Sequence, residues 1–94
     1  VLERVPIGHI ATVATCSGSD LQASLVARRT QAIAESMEGA AVVHAGLRMG
    51  IPGMEIRTIS NTTGDRDRQE WDLDGALDSL SRSLPGIVDM LREA

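Results

Sequence analysis

Side chains that could bind a small molecule cluster directly after three predicted strands. The three polar segments are residues 15–20, 35–38 and 60–67. In open α/β sheets, ligands bind outside the carboxyl ends of the strands, so segments that follow parallel neighbouring strands meet at one edge of the sheet. A carboxylate such as that of Glu38 can accept hydrogen bonds from two neighbouring hydroxyl groups, and an amide such as that of Asn61 can donate and accept at once. If the strands are parallel neighbours, we expect these segments to form one polar site.

The elements that must position these segments alternate between strand and helix. β-branched runs predict strands, Asp20 can cap a helix with Arg28 and Arg29 in its last turn, and Gly50 closes a second helix. The predicted elements are a strand over residues 7–15, a helix over 20–30, an apolar stretch at 32–34, a helix over 39–49, a strand over 54–60, a surface loop over 61–72 anchored by Trp71, and a final amphipathic helix from residue 73 that is bent or broken before Pro85. This alternation predicts an α/β fold with helices packed on a mixed or parallel sheet.

The domain organisation follows from the length of 94 residues, which is enough for one small domain. We therefore predict a single domain over residues 1–94. The chain begins with Val1 and runs directly into a strand-like stretch, so we expect the start of this domain to lie upstream.

Composition argues against several classes of partner. The net charge is −4, and the nine basic residues, all arginines, are spread along the chain, so we expect no nucleic acid partner. No apolar run approaches the roughly 20 residues that cross a bilayer, and the first residues lack signal-peptide features, so we expect no membrane association and a cytoplasmic location. Cys16 is the single cysteine, which excludes an internal disulfide and a cysteine-rich metal site.

Two motifs carry a resemblance to a known enzyme family. The run Glu-Ser-Met-Glu-Gly-Ala-Ala-Val at residues 35–42 resembles the Met-Glu-x-Ala-Ala motif of the nucleoside phosphorylase and nucleosidase superfamily. The runs Arg-Thr-Ile-Ser-Asn at residues 57–61 and Gly-Asp-Arg-Asp-Arg at 64–68 are similar to those of futalosine hydrolases. The resemblance covers about residues 10–90 and the C-terminal half of that family. It implies the C-terminal part of a three-layer α/β fold.

The resemblance also implies roles for individual residues. Glu38 corresponds to the carboxylate that accepts hydrogen bonds from the ribose hydroxyls, and Met37 to the residue that packs against the sugar. The residue after Ser60 contacts the purine, and it is Asp in adenine-releasing nucleosidases but Asn61 here. An amide can donate to a 6-oxo group while accepting from a protonated N7, which favours a hypoxanthine-type leaving group. Asn61 is thereby the predicted catalytic residue, and Ser60 a substrate-binding one.

The activity implied by the resemblance is hydrolysis of the N-glycosidic bond of futalosine, releasing hypoxanthine, in the menaquinone pathway that runs through futalosine. The turn that corresponds to Ser17 and Gly18 helps to line the base pocket in the superfamily. The substrate would be a small-molecule purine nucleoside, no cofactor is implied, and family members are homo-oligomers. The acidic residue that activates water belongs to the N-terminal half of the family, and these 94 residues contain no candidate for it.

Each candidate also has a purely structural explanation. An acidic residue such as Glu38 stabilises the start of a helix through the dipole, Met37 could be core filler, and Asn61 is a common turn former. The aspartates between residues 65 and 74 do not have the spacing of a calcium loop, which favours a solvated charged loop. Cys16 and His44 could suggest a thiol nucleophile, but His44 lies among apolar residues of a predicted helix, and a packed histidine is the favoured interpretation.

Two alternative functions remain open from the sequence. A phosphorylase would use phosphate in place of water, and its arginines would come largely from segments of the family that this sequence does not match. A non-catalytic fragment would instead pair an exposed sheet edge with another chain.

Overall fold

The computed structural model describes residues 5–93. Contacts divide these residues into two compact units. We call residues 8–56 and 63–69 the strand unit, and residues 5–7, 57–62 and 70–93 the terminal-helix unit. Together the elements confirm the predicted α/β class, with helices and a parallel sheet.

The strand unit is built on a β-α-β sequence. Strand β1 spans His9–Thr12, helix α1 spans Asp20–Thr30, and strand β2 spans Ala32–Ser36. The two strands pair in parallel, with Ala11 opposite Glu35 and Thr12 opposite Ser36. Strand β1 is shorter than predicted, because its pairing with β2 stops soon after Thr12. Beyond Thr12, the amide of Val13 still donates to the carbonyl of Ser36 over 2.8 Å. The predicted parallel arrangement is confirmed.

The ends of α1 differ in one detail from the prediction. Ser19, and not Asp20, is the N-cap, because its hydroxyl accepts a hydrogen bond from the amide of Gln22 over 3.2 Å. Asp20 becomes the first helical residue, where its negative charge still suits the helix dipole. At the other end Gln31 takes a left-handed conformation with φ of 59° and closes the helix.

Helix α2 spans Gly39–Met49, as predicted. Gly50 closes it with φ of 72°, a left-handed conformation that glycine adopts without a steric penalty. The amide of Ile51 then donates to the carbonyl of Gly46 over 2.8 Å, which satisfies a carbonyl of the last turn.

The predicted strand over residues 54–60 is wrong. Alternation of apolar and polar side chains indicates the extended conformation, but a strand also needs a partner for its backbone groups. In this part of the described chain, Asn61 and Trp71 alone form an antiparallel bridge. A short 3-10 helix over Arg66–Arg68 interrupts the predicted loop. Trp71 is 67% exposed, so its backbone pairing and not a buried indole holds the returning chain.

The final helix, α3, spans Leu73–Glu93 without a break. The alternative of a break before Pro85 is therefore wrong, while the alternative of a bend stays a prediction. Proline removes one amide donor from the helical ladder, but the helix continues on both sides of it, with Ala76 and Ile87 as its buried residues. None of the helices within residues 5–93 has both the length and the apolar character needed to span a membrane.

Candidate active site

A bidentate contact links the turn after β1 to the end of β2. The amide of Ser17 donates to Oε1 of Glu35 over 2.8 Å, and its hydroxyl donates to Oε2 over 2.6 Å. Ser17 is only 1% exposed and Glu35 is half-buried, so water has limited access to this contact. A carboxylate that accepts two such bonds fixes both the backbone and the side chain of its partner.

The carbonyl of Ser17 ties the same turn to the loop over residues 63–69. It accepts hydrogen bonds from the amide of Gly64 and from Nε2 of Gln69, each over 3.2 Å. The same Nε2 donates to the carbonyl of Gly64 over 2.9 Å. Every polar group of Ser17 therefore has a partner within the protein.

Two aspartates fasten this loop to the start of α1. The amide of Asp20 donates to Oδ1 of Asp65 over 2.9 Å, and the amide of Asp65 donates to Oδ1 of Asp20 over 3.0 Å. Arg68 lies 3.2 Å from the second carboxylate oxygen of Asp65. The loop predicted as solvated and charged is thus held at several points. Within residues 5–93, no group of three or more histidine, cysteine or acidic residues is placed to hold a metal ion.

Gly18 allows close packing of an arginine over the turn. A Cβ atom at this position would lie 2.6 Å from Nε of Arg66. Any larger residue would displace the guanidinium group, so glycine here has a packing role whether or not a ligand binds.

Met37 and Glu38 lie between β2 and α2, at the carboxyl end of the strand. Met37 is 50% exposed. Glu38 is the N-cap of α2, but its side chain makes no capping hydrogen bond. The hydroxyl of Thr12 takes that role and accepts from the amide of Ala40 over 2.9 Å. The carboxylate of Glu38 therefore does not cap its own helix.

Ser60 and Asn61 are neighbours in the terminal-helix unit. The hydroxyl of Ser60 donates to Oδ1 of Asn61 over 2.7 Å, and Nδ2 of Asn61 donates to the carbonyl of Thr62 over 2.9 Å. The backbone of Asn61 is held by its bridge to Trp71. Two backbone hydrogen bonds, of 2.6 and 3.1 Å, lie on either side of this bridge. The side chain is thus oriented by its own neighbours.

The structure places the predicted residues in two groups. Ser17, Gly18, Met37 and Glu38 belong to the strand unit, and all follow the ends of its paired strands. Ser60 and Asn61 belong to the terminal-helix unit. Cys16 and His44 are both exposed, so the expectation of a packed histidine is wrong.

Sequence reasoning assigned no role to Glu35 or Thr12. The signal for Glu35 was an acidic residue directly after the apolar run Ala-Ile-Ala of residues 32–34, where a half-buried charge needs a partner. Thr12 gave no such signal, because threonine is an ordinary strand residue.

Comparison with known proteins identifies the family. Residues 2–91 match the sequence model of the phosphorylase superfamily. The chain belongs to the phosphorylase superfamily. The futalosine hydrolase of Acidothermus cellulolyticus is 43% identical over 82 residues, which are 86% of this chain and 34% of that protein. The futalosine hydrolase of Streptomyces coelicolor is 35% identical over 85 residues, 89% of this chain and 36% of that protein.

A third relative is also a futalosine hydrolase. The futalosine hydrolase of Thermus thermophilus is 43% identical over 67 residues, which are 71% of this chain and 30% of that protein. The chain therefore spans about a third of the length of these superfamily relatives. No solved structure gives a significant match.

Proposed function

We propose that this protein takes part in hydrolysis of the N-glycosidic bond of futalosine, with release of hypoxanthine. The observation that carries the proposal is the similarity to three futalosine hydrolases, at 35–43% identity over 71–89% of the chain. The substrate is a small-molecule purine nucleoside, which agrees with membership of the phosphorylase superfamily. Release of hypoxanthine from futalosine would place the protein in menaquinone biosynthesis.

Asn61 is the proposed contact to the purine base and the proposed catalytic residue. A carboxamide has two donor hydrogens and two acceptor lone pairs. One lone pair accepts from Ser60 and one hydrogen is donated to Thr62. One donor and one acceptor remain, and these suit the 6-oxo group and the protonated N7 of a departing hypoxanthine. Stabilising that protonated base lowers the barrier to bond cleavage. Ser60 supports this step by orienting the amide.

Glu38 is the proposed ribose ligand, with Met37 packed against the sugar. Because Thr12 caps α2 in its place, the carboxylate of Glu38 is not required for the helix start. A carboxylate there can accept from two sugar hydroxyls and stabilise positive charge on the sugar as the bond breaks. Met37 is half-exposed and offers an adaptable apolar surface beside it.

Ser17 and Gly18 are the proposed wall of the base pocket. The hydroxyl of Ser17 already donates to Glu35, so we propose that this residue acts through the shape of its turn. We also propose that residues 1–94 belong to a single domain and that the protein acts as a cytoplasmic homo-oligomer. Light scattering after size-exclusion chromatography measures the oligomeric state, and a monomeric mass would exclude that part of the proposal.

The test is release of free base from a panel of nucleosides. The complete gene product is incubated with futalosine, inosine and methylthioadenosine, each with and without phosphate, and hypoxanthine and adenine are separated by reversed-phase chromatography. We expect hypoxanthine from futalosine, independent of phosphate. Asn61→Ala should lower the rate about a hundredfold, as expected when one stabilising polar group is removed. Thr63→Ala, an exposed neighbour, is the matched control.

Each other outcome indicates a different function. Base release that requires phosphate would support the phosphorylase alternative. Release from methylthioadenosine in preference to futalosine would contradict the base assignment made from Asn61. A folded protein that is silent on every substrate would support the non-catalytic alternative.

A further inference from the structure

Glu35 is an acidic residue near the carboxyl end of strand β2, the last but one of that strand, and it lies opposite Ala11 of β1. An ionised carboxylate in a half-buried strand position is costly unless hydrogen bonds replace its water. Both of its oxygens accept from Ser17, over 2.8 and 2.6 Å. These bonds join residues 18 positions apart, so they fix tertiary structure and not a local turn.

The position of Glu35 connects it to the candidate site on both sides. Along the chain, it is separated from Met37 by one residue and from Glu38 by two. Across the sheet, it holds Ser17, whose carbonyl in turn holds Gly64 and Gln69. Removal of the carboxylate would therefore release the turn after β1 and loosen the loop over residues 63–69 with it.

We propose that Glu35 is a positioning residue for the purine base: its carboxylate clamps Ser17 and holds the turn over residues 16–18 in the form that the base meets. The proposal rests on the function proposed above. Glu35 touches no reacting atom in this scheme and acts only through Ser17. The hydroxyl of Ser17 serves the clamp and not the substrate.

This role predicts a particular kinetic signature. A loosened pocket wall weakens binding of the base in the ground state and the transition state alike, which raises KM more than it lowers kcat. Misplacement of a binding group by about 1 Å can cost up to about a hundredfold. We expect Glu35→Ala to raise KM for futalosine by about tenfold or more and to change kcat by less than about threefold. Asn61→Ala, in contrast, should act mainly on kcat.

Conservative variants separate hydrogen bonding from bulk and charge. In Glu35→Gln the side-chain carbonyl can still accept from the amide of Ser17, and the new amide can donate to the hydroxyl, which rotates to accept. We expect Glu35→Gln to stay within about threefold of the wild-type KM. Glu35→Asp keeps the charge but is shorter by one methylene, and it should raise KM as Glu35→Ala does. Glu93→Ala, at the exposed end of α3, is the matched control for deletion of a carboxylate.

A double variant tests whether Ser17 serves the clamp. If its hydroxyl acts only with Glu35, Ser17→Ala has no further effect on KM once Glu35 is alanine. If the hydroxyl contacts the substrate directly, the two effects on KM multiply. That result would overturn the proposal.

The experiment is steady-state hydrolysis of futalosine by the complete gene product and these variants, with circular dichroism to establish folding. The proposal is overturned if Glu35→Ala matches Glu93→Ala in KM, or if Glu35→Gln is as impaired as Glu35→Ala. If Glu35→Ala does not fold, Glu35→Asp against Glu35→Gln decides the question in the same way.

Affinity for hypoxanthine separates failure of this proposal from failure of the proposed function. It is measured by calorimetry on the wild type, Glu35→Asp and Glu93→Ala. If the wild type releases no base from futalosine, the proposed function fails. Weaker hypoxanthine binding in Glu35→Asp than in Glu93→Ala would still support the positioning role. Equal binding, or no binding in any of them, would overturn it.

Discussion

Gly39, the first residue of α2, offers the sharpest test of the packing beside the candidate ribose ligand. Glycine to alanine normally stabilises a helix by up to about 1 kcal/mol. Here the backbone is buried against a side chain, and a Cβ on Gly39 would lie 2.5 Å from Cδ and 2.7 Å from Oε2 of Glu55, and closer still to Oε1. Contacts that short force the carboxylate to move.

The expected magnitude combines two opposing effects. Overpacking of a closely packed position typically destabilises a protein by about 1–3 kcal/mol. The higher helix propensity of alanine offsets up to about 1 kcal/mol of this loss. We therefore expect Gly39→Ala to lower the free energy of unfolding by roughly 0–3 kcal/mol. In a Glu55→Ala background the obstruction is gone, so the same substitution should raise the free energy of unfolding. The difference between the backgrounds isolates the steric contact at about 1–3 kcal/mol.

The assay is urea unfolding followed by far-ultraviolet circular dichroism on the four members of this cycle. Gly86→Ala in α3 is the control, because a Cβ there meets no atom within 4 Å. It should show the propensity gain alone. Equal effects of Gly39→Ala in both backgrounds would refute the packing argument.

Three further substitutions test contacts around the site. Thr12→Val keeps the shape of the side chain but removes the acceptor that caps α2, so urea unfolding should show that the free energy of unfolding falls by about 1 kcal/mol. An unchanged free energy of unfolding would mean that the cap contributes nothing. Ser36 is 6% exposed, and its hydroxyl has no hydrogen-bond partner among the described residues. Ser36→Ala should therefore raise the free energy of unfolding by about 1 kcal/mol, and a fall would reveal a partner. Asp20→Ala removes the carboxylate that accepts from the amide of Asp65. Trypsin should therefore cleave the loop over residues 63–69 about tenfold faster in this variant than in the control Asp74→Ala. Equal cleavage rates would contradict the fastening of that loop.

Local signals predicted most of the secondary structure. The start of α1 and the end of α2 follow from the capping side chain of Ser19 and from Gly50, which act within a few positions of the chain. The predicted strand over residues 54–60 did not form. Alternation of apolar and polar residues is a property of one segment, whereas a β-ladder needs a second segment that pairs with it. Pro85 did not end α3, since one missing amide can be tolerated when the helix buries residues on both sides.

The contacts that shape the candidate site could not be predicted in this way. Glu35 and Ser17 are 18 positions apart, and Thr12 and Ala40 are 28 apart. No periodicity of hydrophobic residues encodes which polar side chains meet over such distances. The candidates Glu38 and Asn61 came from motif resemblance, and the structure adds the partners that orient Asn61 and cap the helix after Glu38.

The measurement that tests the central claim most directly is the rate of hypoxanthine release from futalosine in phosphate-free buffer, for the wild-type gene product and Glu38→Gln. Glutamine keeps the size of the side chain but loses the charge that would stabilise the developing positive charge on the sugar. The proposed mechanism predicts steady release by the wild type and a loss of about a hundredfold in Glu38→Gln. Equal rates in the two proteins would contradict the role of Glu38, and no release by folded wild type would contradict the proposed activity.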